Sequence, residues 1–135
     1  MQTLTAGCAQ PLPPRAVEAI RLFNAGEYYR QHDLLEELWR ETEEPIRDLY
    51  RAVLQVGIAY YQVLRGNRRG ALKMLRRSLR WLDALPDVCQ GVDVADLREG
   101  VRHLREVLMS TPPGADITAL DRSLFRPVRL ISEGG

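Results

Sequence analysis

The stretch from Leu49 to Leu64, LYRAVLQVGIAYYQVL, constrains the fold of this chain more than any other part of the sequence. As a helix, it carries apolar side chains around most of its circumference, so other parts of the protein have to cover it on nearly every side. Pro45 suits the first turn of such a helix, and Gly66-Asn67 suits its end. The sequence therefore predicts that this segment is the central helix of a bundle.

Further segments have the three-to-four spacing of apolar residues that marks one face of a helix. These segments cover residues 13–26, 27–42, 67–85 and 93–111. Asp93 is expected to cap the last of them, because aspartate accepts hydrogen bonds from the free N–H groups of a first helical turn. No segment has convincing strand alternation. The predicted fold class is therefore all-α, a single compact bundle of about five helices in antiparallel hairpins with an irregular C-terminal tail.

A chain of 135 residues, 45% of them hydrophobic, is long enough for one domain with a substantial core. We expect one helical domain over residues 1–135. It divides into a flexible proline-rich arm (1–12), a helical bundle (13–110) and a tail (111–135). The tail has enough apolar residues to drape over the bundle and make one short helical turn.

The two cysteines, Cys8 and Cys89, have neither metal-site spacing nor the density of a disulfide scaffold. We expect them to remain thiols in a reducing compartment. The first residues lack the pattern of a signal peptide, and no uncharged run is long enough to span a bilayer. The predicted location is the cytoplasm, with no membrane as a partner.

Polar side chains interrupt the second predicted helix on the face that should pack against the core. At about 100° per residue, Tyr28, His32 and Trp39 fall within a narrow arc, and Glu36 lies on its flank. Because His32 and Glu36 are four residues apart, their side chains can reach each other, and the carboxylate favours the charged histidine. Burial of such a pair is tolerable only if it has partners.

The central helix offers those partners in Arg51 and Gln55, which belong to a polar stripe on an otherwise apolar helix. If the second and third helices are antiparallel, these side chains meet His32 and Glu36, and the rings of Tyr28, Trp39, Tyr60 and Tyr61 wall the resulting cluster. The candidate ligand-binding cluster consists of Tyr28, His32, Glu36, Trp39, Arg51 and Gln55.

Several interpretations of His32 and Glu36 stay open. The pair can simply fix the packing of two helices, or it can bind a ligand. In a hydrolase-like enzyme, His32 would act as a base oriented by Glu36, but no serine elbow or activated cysteine supplies a nucleophile, which leaves water. Two residues are too few to hold a metal, and His103 lies in a charged segment typical of a surface. We therefore predict no metal and no cofactor, and we assign no catalytic residue.

Charge is unevenly distributed, although the net charge is only +1. Residues 68–80 contain six basic side chains and no acidic one, whereas residues 33–44 contain six acidic side chains and one arginine. The basic segment can contact nucleic acid, but no nucleic-acid-binding motif surrounds it, which argues against that partner. We expect instead that the two segments complement each other, within the monomer or across a dimer.

The stretch FNAGEYYRQHDLLEELW, followed by an apolar helix and RGNRRGALKMLRRSL, resembles a bacterial, archaeal and plastid family known as domain of unknown function three-zero-nine. The resemblance spans roughly residues 17–85. The family pattern has glutamate where this chain has Asp33, and Gln-Gly where it has Arg51-Ala52. The resemblance implies a compact helical fold and brings no established activity.

These observations favour a binding or interaction module, or a homo-oligomer, with a polar cluster between helices two and three. The alternatives are a hydrolase-like enzyme that uses His32 and Glu36, and nucleic-acid binding through the basic helix at residues 67–80. The sequence does not decide whether the protein is an enzyme. A homo-oligomer or a complex with another protein is the expected assembly.

Overall fold

The computed structural model describes residues 7–131, and its helical content confirms the all-α bundle. The helices in this range are α1 (Pro14–Asn24), α2 (Arg30–Glu41), α3 (Arg47–Leu64), α4 (Arg68–Leu82) and α5 (Val94–Ser110). A hairpin of two short strands, β1 (Val88–Cys89) and β2 (Val92–Asp93), replaces the loop expected between α4 and α5.

Helix α3 lies at the centre, as its apolar sequence predicts. It packs against α2 on one side and α4 on the other, while α1 packs on α2 and α5 packs on α4. Half of its residues are buried, and Tyr60 is the largest fully buried side chain of the described chain. The free-energy gain from burying this apolar surface is the main reason that α3 forms, since most helix stability in proteins comes from packing of apolar side chains and not from intrinsic propensity.

Side-chain caps begin two of the helices. The Asn67 side chain accepts a hydrogen bond from the Gly70 N–H at 2.9 Å, and Asp93 accepts one from Asp96 N–H at 3.0 Å, which confirms the expected cap of α5. Gly66 adopts a φ of +77° after α3, a conformation that other residues rarely adopt. Helix α2 begins at Arg30, three residues later than predicted.

Cys8 and Cys89 form a disulfide, so the prediction of two thiols is wrong. Their Cα atoms lie 4.3 Å apart although the residues are 81 positions apart in sequence. The β1–β2 turn is the physical reason, because Gln90 N–H donates to Cys8 O at 2.7 Å and thereby holds the two segments together. The expected thiols were the reason to predict a reducing compartment, so the disulfide removes that argument.

The segment that was expected to be a flexible arm is therefore fastened at its described end. Besides the disulfide, Gln90 Nε2 donates to Gly7 O at 3.1 Å, and Gln90 Oε1 accepts a hydrogen bond from Tyr50 OH at 2.8 Å. Residues 1–6 lie outside the described residues, so the expectation for the rest of the arm is not tested.

The tail crosses the bundle and makes two short 3-10 turns, Ile117–Ala119 and Arg122–Leu124, instead of one helical turn. Phe125 and Val128 are buried against the helices. Asn24 fixes the tail to the end of α1, since its side chain accepts from Val128 N–H at 2.8 Å and donates to Val128 O at 2.9 Å. Leu130 forms a bridge with Val92 of β2.

In residues 7–131, no helix combines the length and apolar character needed to cross a bilayer.

Candidate functional site

Helices α2 and α3 are antiparallel neighbours, as the candidate cluster requires. The Tyr29 and Tyr61 rings lie 5.0 Å apart, and at the other end the Arg51 guanidinium lies 5.1 Å from the Trp39 ring. The start of α2 therefore lies beside the end of α3, and the end of α2 lies beside the start of α3. Trp39 and Arg51 meet at one end of this contact, whereas no hydrogen bond, ion pair or ring contact within residues 7–131 joins His32 or Glu36 to Arg51 or Gln55.

A fully buried glutamine, Gln31, fixes the distance between the two helices. Its Nε2 donates to Tyr28 O at 2.8 Å and to Leu54 O at 3.2 Å. Gly57 makes room for it, because a Cβ atom on Gly57 would lie 2.8 Å from Gln31 Cδ and 3.2 Å from Phe23 Cδ2. The helical pattern does not single out Gln31, although a glutamine beside an apolar face and a glycine on the central helix are the available signals.

His32 and Glu36 form the expected pair. His32 Nε2 lies 2.8 Å from Glu36 Oε2, and the other carboxylate oxygen accepts from Arg40 Nη2 at 2.5 Å. The pair is not dry, since 25% of the His32 side chain and 30% of the Glu36 side chain are exposed. The carboxylate can hold the imidazole in one orientation while leaving it accessible to a ligand or to water.

Arg51 is stacked between two tryptophan rings. Its guanidinium carbon lies 5.1 Å from the centre of Trp39 and 4.3 Å from the centre of Trp81 on α4, and Arg51 Nη2 donates to Asp48 at 2.7 Å. The Arg47 guanidinium contacts Trp39 as well, at 4.9 Å. Cation–π contacts of this kind hold both arginines beside the indole of Trp39. The contribution of Trp81 was not expected from the sequence.

Tyr28 and Tyr60, expected as walls of the polar cluster, belong instead to an aromatic cluster in the core. The Tyr28 ring lies 5.5 Å from Phe23, 5.2 Å from Tyr60 and 6.1 Å from Phe125. The reason is that α2 begins after Tyr28, which therefore does not follow the helical period. Burial raises the pKa of both Tyr28 and Tyr60. Tyr29, and not Tyr28, lies beside His32, with 5.4 Å between the two rings.

Six buried side-chain atoms of the described residues have no hydrogen-bond partner, and all six belong to α2 and α3. They are Gln31 Oε1, His32 Nδ1, Trp39 Nε1, Arg47 Nε, Arg51 Nε and Gln55 Oε1. His32 Nδ1 does lie 3.3 Å from Asp33 Oδ1, but without hydrogen-bond geometry. Because leaving a buried polar group unpaired costs about 1–3 kcal/mol, a polar partner at these atoms, whether water or a ligand, would be favourable.

Other functional elements lie elsewhere or are lacking in the described part of the chain. Within residues 7–131, no group of three or more His, Cys, Asp or Glu side chains is arranged to hold a metal ion. His103 is exposed on α5 and lines a shallow groove with Glu106 and Val107. His32, Glu36, Trp39, Arg51 and Gln55 are each partly buried.

Comparison with known proteins agrees with the resemblance noted in the sequence. Residues 16–74 match the model of the family described as Domain of unknown function (DUF309), and this range contains all six candidate residues. An uncharacterised protein of Aquifex aeolicus (strain VF5) is 30% identical over 92 residues, which are 67% of this chain and 27% of that protein. An uncharacterised protein of Bacillus subtilis (strain 168), YpuF, is 27% identical over 104 residues, 76% of this chain and 57% of that protein. The chain therefore spans about a quarter and just over half of the length of these relatives.

Proposed function

Starting from the match of residues 16–74 to a family of unknown function, we propose that this protein is a binding module whose recognition surface is the face shared by α2 and α3. We further propose that the surface receives an anionic acceptor group, a carboxylate or a phosphate. The observation that carries the proposal is the group of three buried donors without a hydrogen-bond partner at the Trp39 end of this face, which belong to Trp39, Arg47 and Arg51.

The chemistry of the unpaired atoms near Trp39 favours an anion. Trp39 Nε1, Arg47 Nε and Arg51 Nε are all N–H groups that donate hydrogen bonds and cannot accept them. The Arg47 guanidinium, which has no ion pair among the described residues, adds positive charge, whereas Arg51 is already paired with Asp48 at 2.7 Å. Hydrogen bonds between charged partners are about twice as strong as neutral ones. An acceptor that carries negative charge satisfies these donors best, whether it belongs to a small molecule or to a protein partner.

The first test is nuclear magnetic resonance of the 15N-labelled protein. The chain has two tryptophans, so the indole N–H signal of Trp39 is identified by its loss in Trp39→Phe. Sodium acetate and inorganic phosphate are titrated separately at constant ionic strength. We expect a saturable shift of the Trp39 indole signal with at least one of the two anions.

Arg51→Gln is expected to abolish the saturable shift, because it removes the charge beside Trp39. The matched control is Arg129→Gln, which removes an equal charge from an exposed side chain in the tail. A Trp39 signal that does not move, or that moves equally in wild type and in Arg51→Gln, would contradict the proposal.

Stability measurements separate a binding surface from a structural pair. Since His32 and Glu36 are partly exposed and four residues apart, their pair contributes only about 0.3–0.5 kcal/mol, so His32→Ala should hardly change the free energy of unfolding. Gln55→Leu removes an unpaired buried oxygen and is expected to leave stability unchanged or raise it by about 1 kcal/mol. Urea unfolding followed by circular dichroism measures both. A loss above about 2 kcal/mol in either variant would favour a purely structural role.

The hydrolase-like alternative is supported by one observation, the 2.8 Å contact that orients the His32 imidazole on Glu36. It predicts that the wild type hydrolyses a simple activated ester such as p-nitrophenyl acetate and that His32→Gln does not. Equal background rates for the two proteins would exclude this alternative for that ester.

The cytoplasmic location stays a prediction, and the disulfide removes one of its arguments.

A further inference from the structure

A basic groove lies between α4 and α5, away from the α2–α3 face. It has a volume of about 460 Å³ and is lined by Arg69, Leu72, Lys73, Arg76, Arg105 and Met109. On α4, Arg69, Lys73 and Arg76 are three or four residues apart and therefore share one side of that helix. Met109 is 56% exposed, and together with Leu72 it gives the groove an apolar portion among four cations.

The four cations of the basic groove have no acidic partner among the described residues. The acid on the neighbouring end of α4, Asp83, is already engaged by Arg102 at 2.6 Å and by Arg98 at 3.6 Å. Glu106 of α5 lines a different groove. The positive charge of the basic groove is therefore not compensated within the described part of the monomer.

Helix α2 presents the opposite charge. We call Asp33, Glu37 and Glu41 the acidic face; they are four residues apart and exposed. Their recorded ion pairs are with His32, at 3.3 Å from Asp33, and with Arg15, at 2.7 Å from Glu41. None of the described ion pairs joins α2 to α4. The sequence suggested that the acidic and basic segments pair either within the monomer or across a dimer. Ion pairs between α2 and α4 within the monomer are not found among the described residues.

We infer that a second copy of this chain docks the acidic face of its α2 in the basic groove. Carboxylates four residues apart repeat about every 6 Å along α2, and the cations of α4 repeat about every 4.5–6 Å, so several ion pairs can form in register. Leu34 and Leu38 lie partly buried beside the acidic face and can contact Leu72 and Met109. We place both contacts in one interface, so that a two-fold axis brings the α2 of each copy to the basic groove of the other and the dimer is closed.

A second copy suits the basic groove better than a nucleic acid does. A net charge of +1 gives the whole protein little attraction for a polyanion, whereas two oppositely charged patches on a nearly neutral chain attract each other without overall repulsion. The apolar portion formed by Leu72 and Met109 also has no counterpart in a phosphate backbone. This inference is independent of the anion site proposed on the α2–α3 face.

Charge reversal tests the inference by sedimentation velocity at low ionic strength. We expect wild type to dimerise and to dissociate as salt is added. Glu37→Lys with Glu41→Lys makes both surfaces basic, and Lys73→Glu with Arg76→Glu makes both acidic. Each double variant alone should associate at least about tenfold more weakly than wild type, because like charges then face each other.

An equimolar mixture of the two double variants should dimerise again, since both contacts of the mixed pair join opposite charges. Arg129→Glu, on an exposed tail residue outside both surfaces, is the matched control and should dimerise like wild type. A monomeric wild type at low salt, or double variants that associate as wild type does, would overturn the inference. Binding of poly(U) by a monomeric wild type, lost in Lys73→Glu with Arg76→Glu, would overturn it in favour of nucleic acid.

Discussion

Reduction of the Cys8–Cys89 disulfide is expected to lower the free energy of unfolding by about 4 kcal/mol. The bond joins residues 81 positions apart. In the chain-entropy model, a closed loop of this length lowers the entropy of the unfolded chain and thereby raises its free energy by about 4 kcal/mol. The loss is a large fraction of the roughly 5–15 kcal/mol that holds a typical domain folded. Reduced protein should therefore melt well below oxidised protein.

The measurement is thermal or urea unfolding with and without a reductant, together with the intact mass, which differs by two hydrogens. Cys8→Ser provides the control, because it lacks the bond and should unfold equally in both conditions. If the oxidised and reduced wild-type proteins differ in mass but have the same free energy of unfolding, then the disulfide does not stabilise the fold as expected.

Gly57→Ala is expected to destabilise the protein by about 1–3 kcal/mol, the usual cost of forcing an extra methyl group into a packed core. Elsewhere in a helix the same change stabilises by up to about 1 kcal/mol, so the sign of the effect is diagnostic. Here the new Cβ would crowd Gln31 and lie 3.2 Å from the Phe23 ring. Either the Gln31 carboxamide gives up its hydrogen bonds to Tyr28 O and Leu54 O, or α2 moves away from α3.

A double-mutant cycle identifies the source of the strain. Urea unfolding measures the free energy of unfolding of Gln31→Ala, of Gly57→Ala and of the double variant. The double variant should lose less of this free energy than the sum of the two single losses, because the shorter side chain leaves space for the methyl group. Gly114→Ala serves as the control, since a Cβ there meets nothing within 4 Å. Additive losses would mean that Gln31 is not what Gly57 accommodates.

The bundle was predictable from local signals. The apolar circumference of Leu49–Leu64 identified the central helix, and Asp93 identified the start of α5, because a cap is a contact between residues only a few positions apart. The match to residues 16–74 confirms the family resemblance found in the same stretch.

The features that were missed depend on distance in the chain or on small shifts of a helix start. Nothing near Cys8 in the sequence indicates that a hairpin 81 residues later brings Cys89 beside it. Tyr28 was misplaced because α2 begins at Arg30, and a residue before the first turn does not obey the helical period. Trp81 joins Arg51 through the packing of α4 on α3, which no local pattern encodes.

The disulfide also determines how the protein responds to a pulling force. When the chain is stretched from its two ends, tension passes directly from Cys8 to Cys89 through the covalent bond and bypasses α1 to α4. In the oxidised molecule the backbones of the enclosed helices, with the α2–α3 face, are then shielded from extension, and the force first breaks the contacts that hold α5 and the tail, such as the Asn24–Val128 hydrogen bonds. Reduction would release the whole enclosed length at once, so the cross-link decides which part of the protein is shielded from mechanical stress.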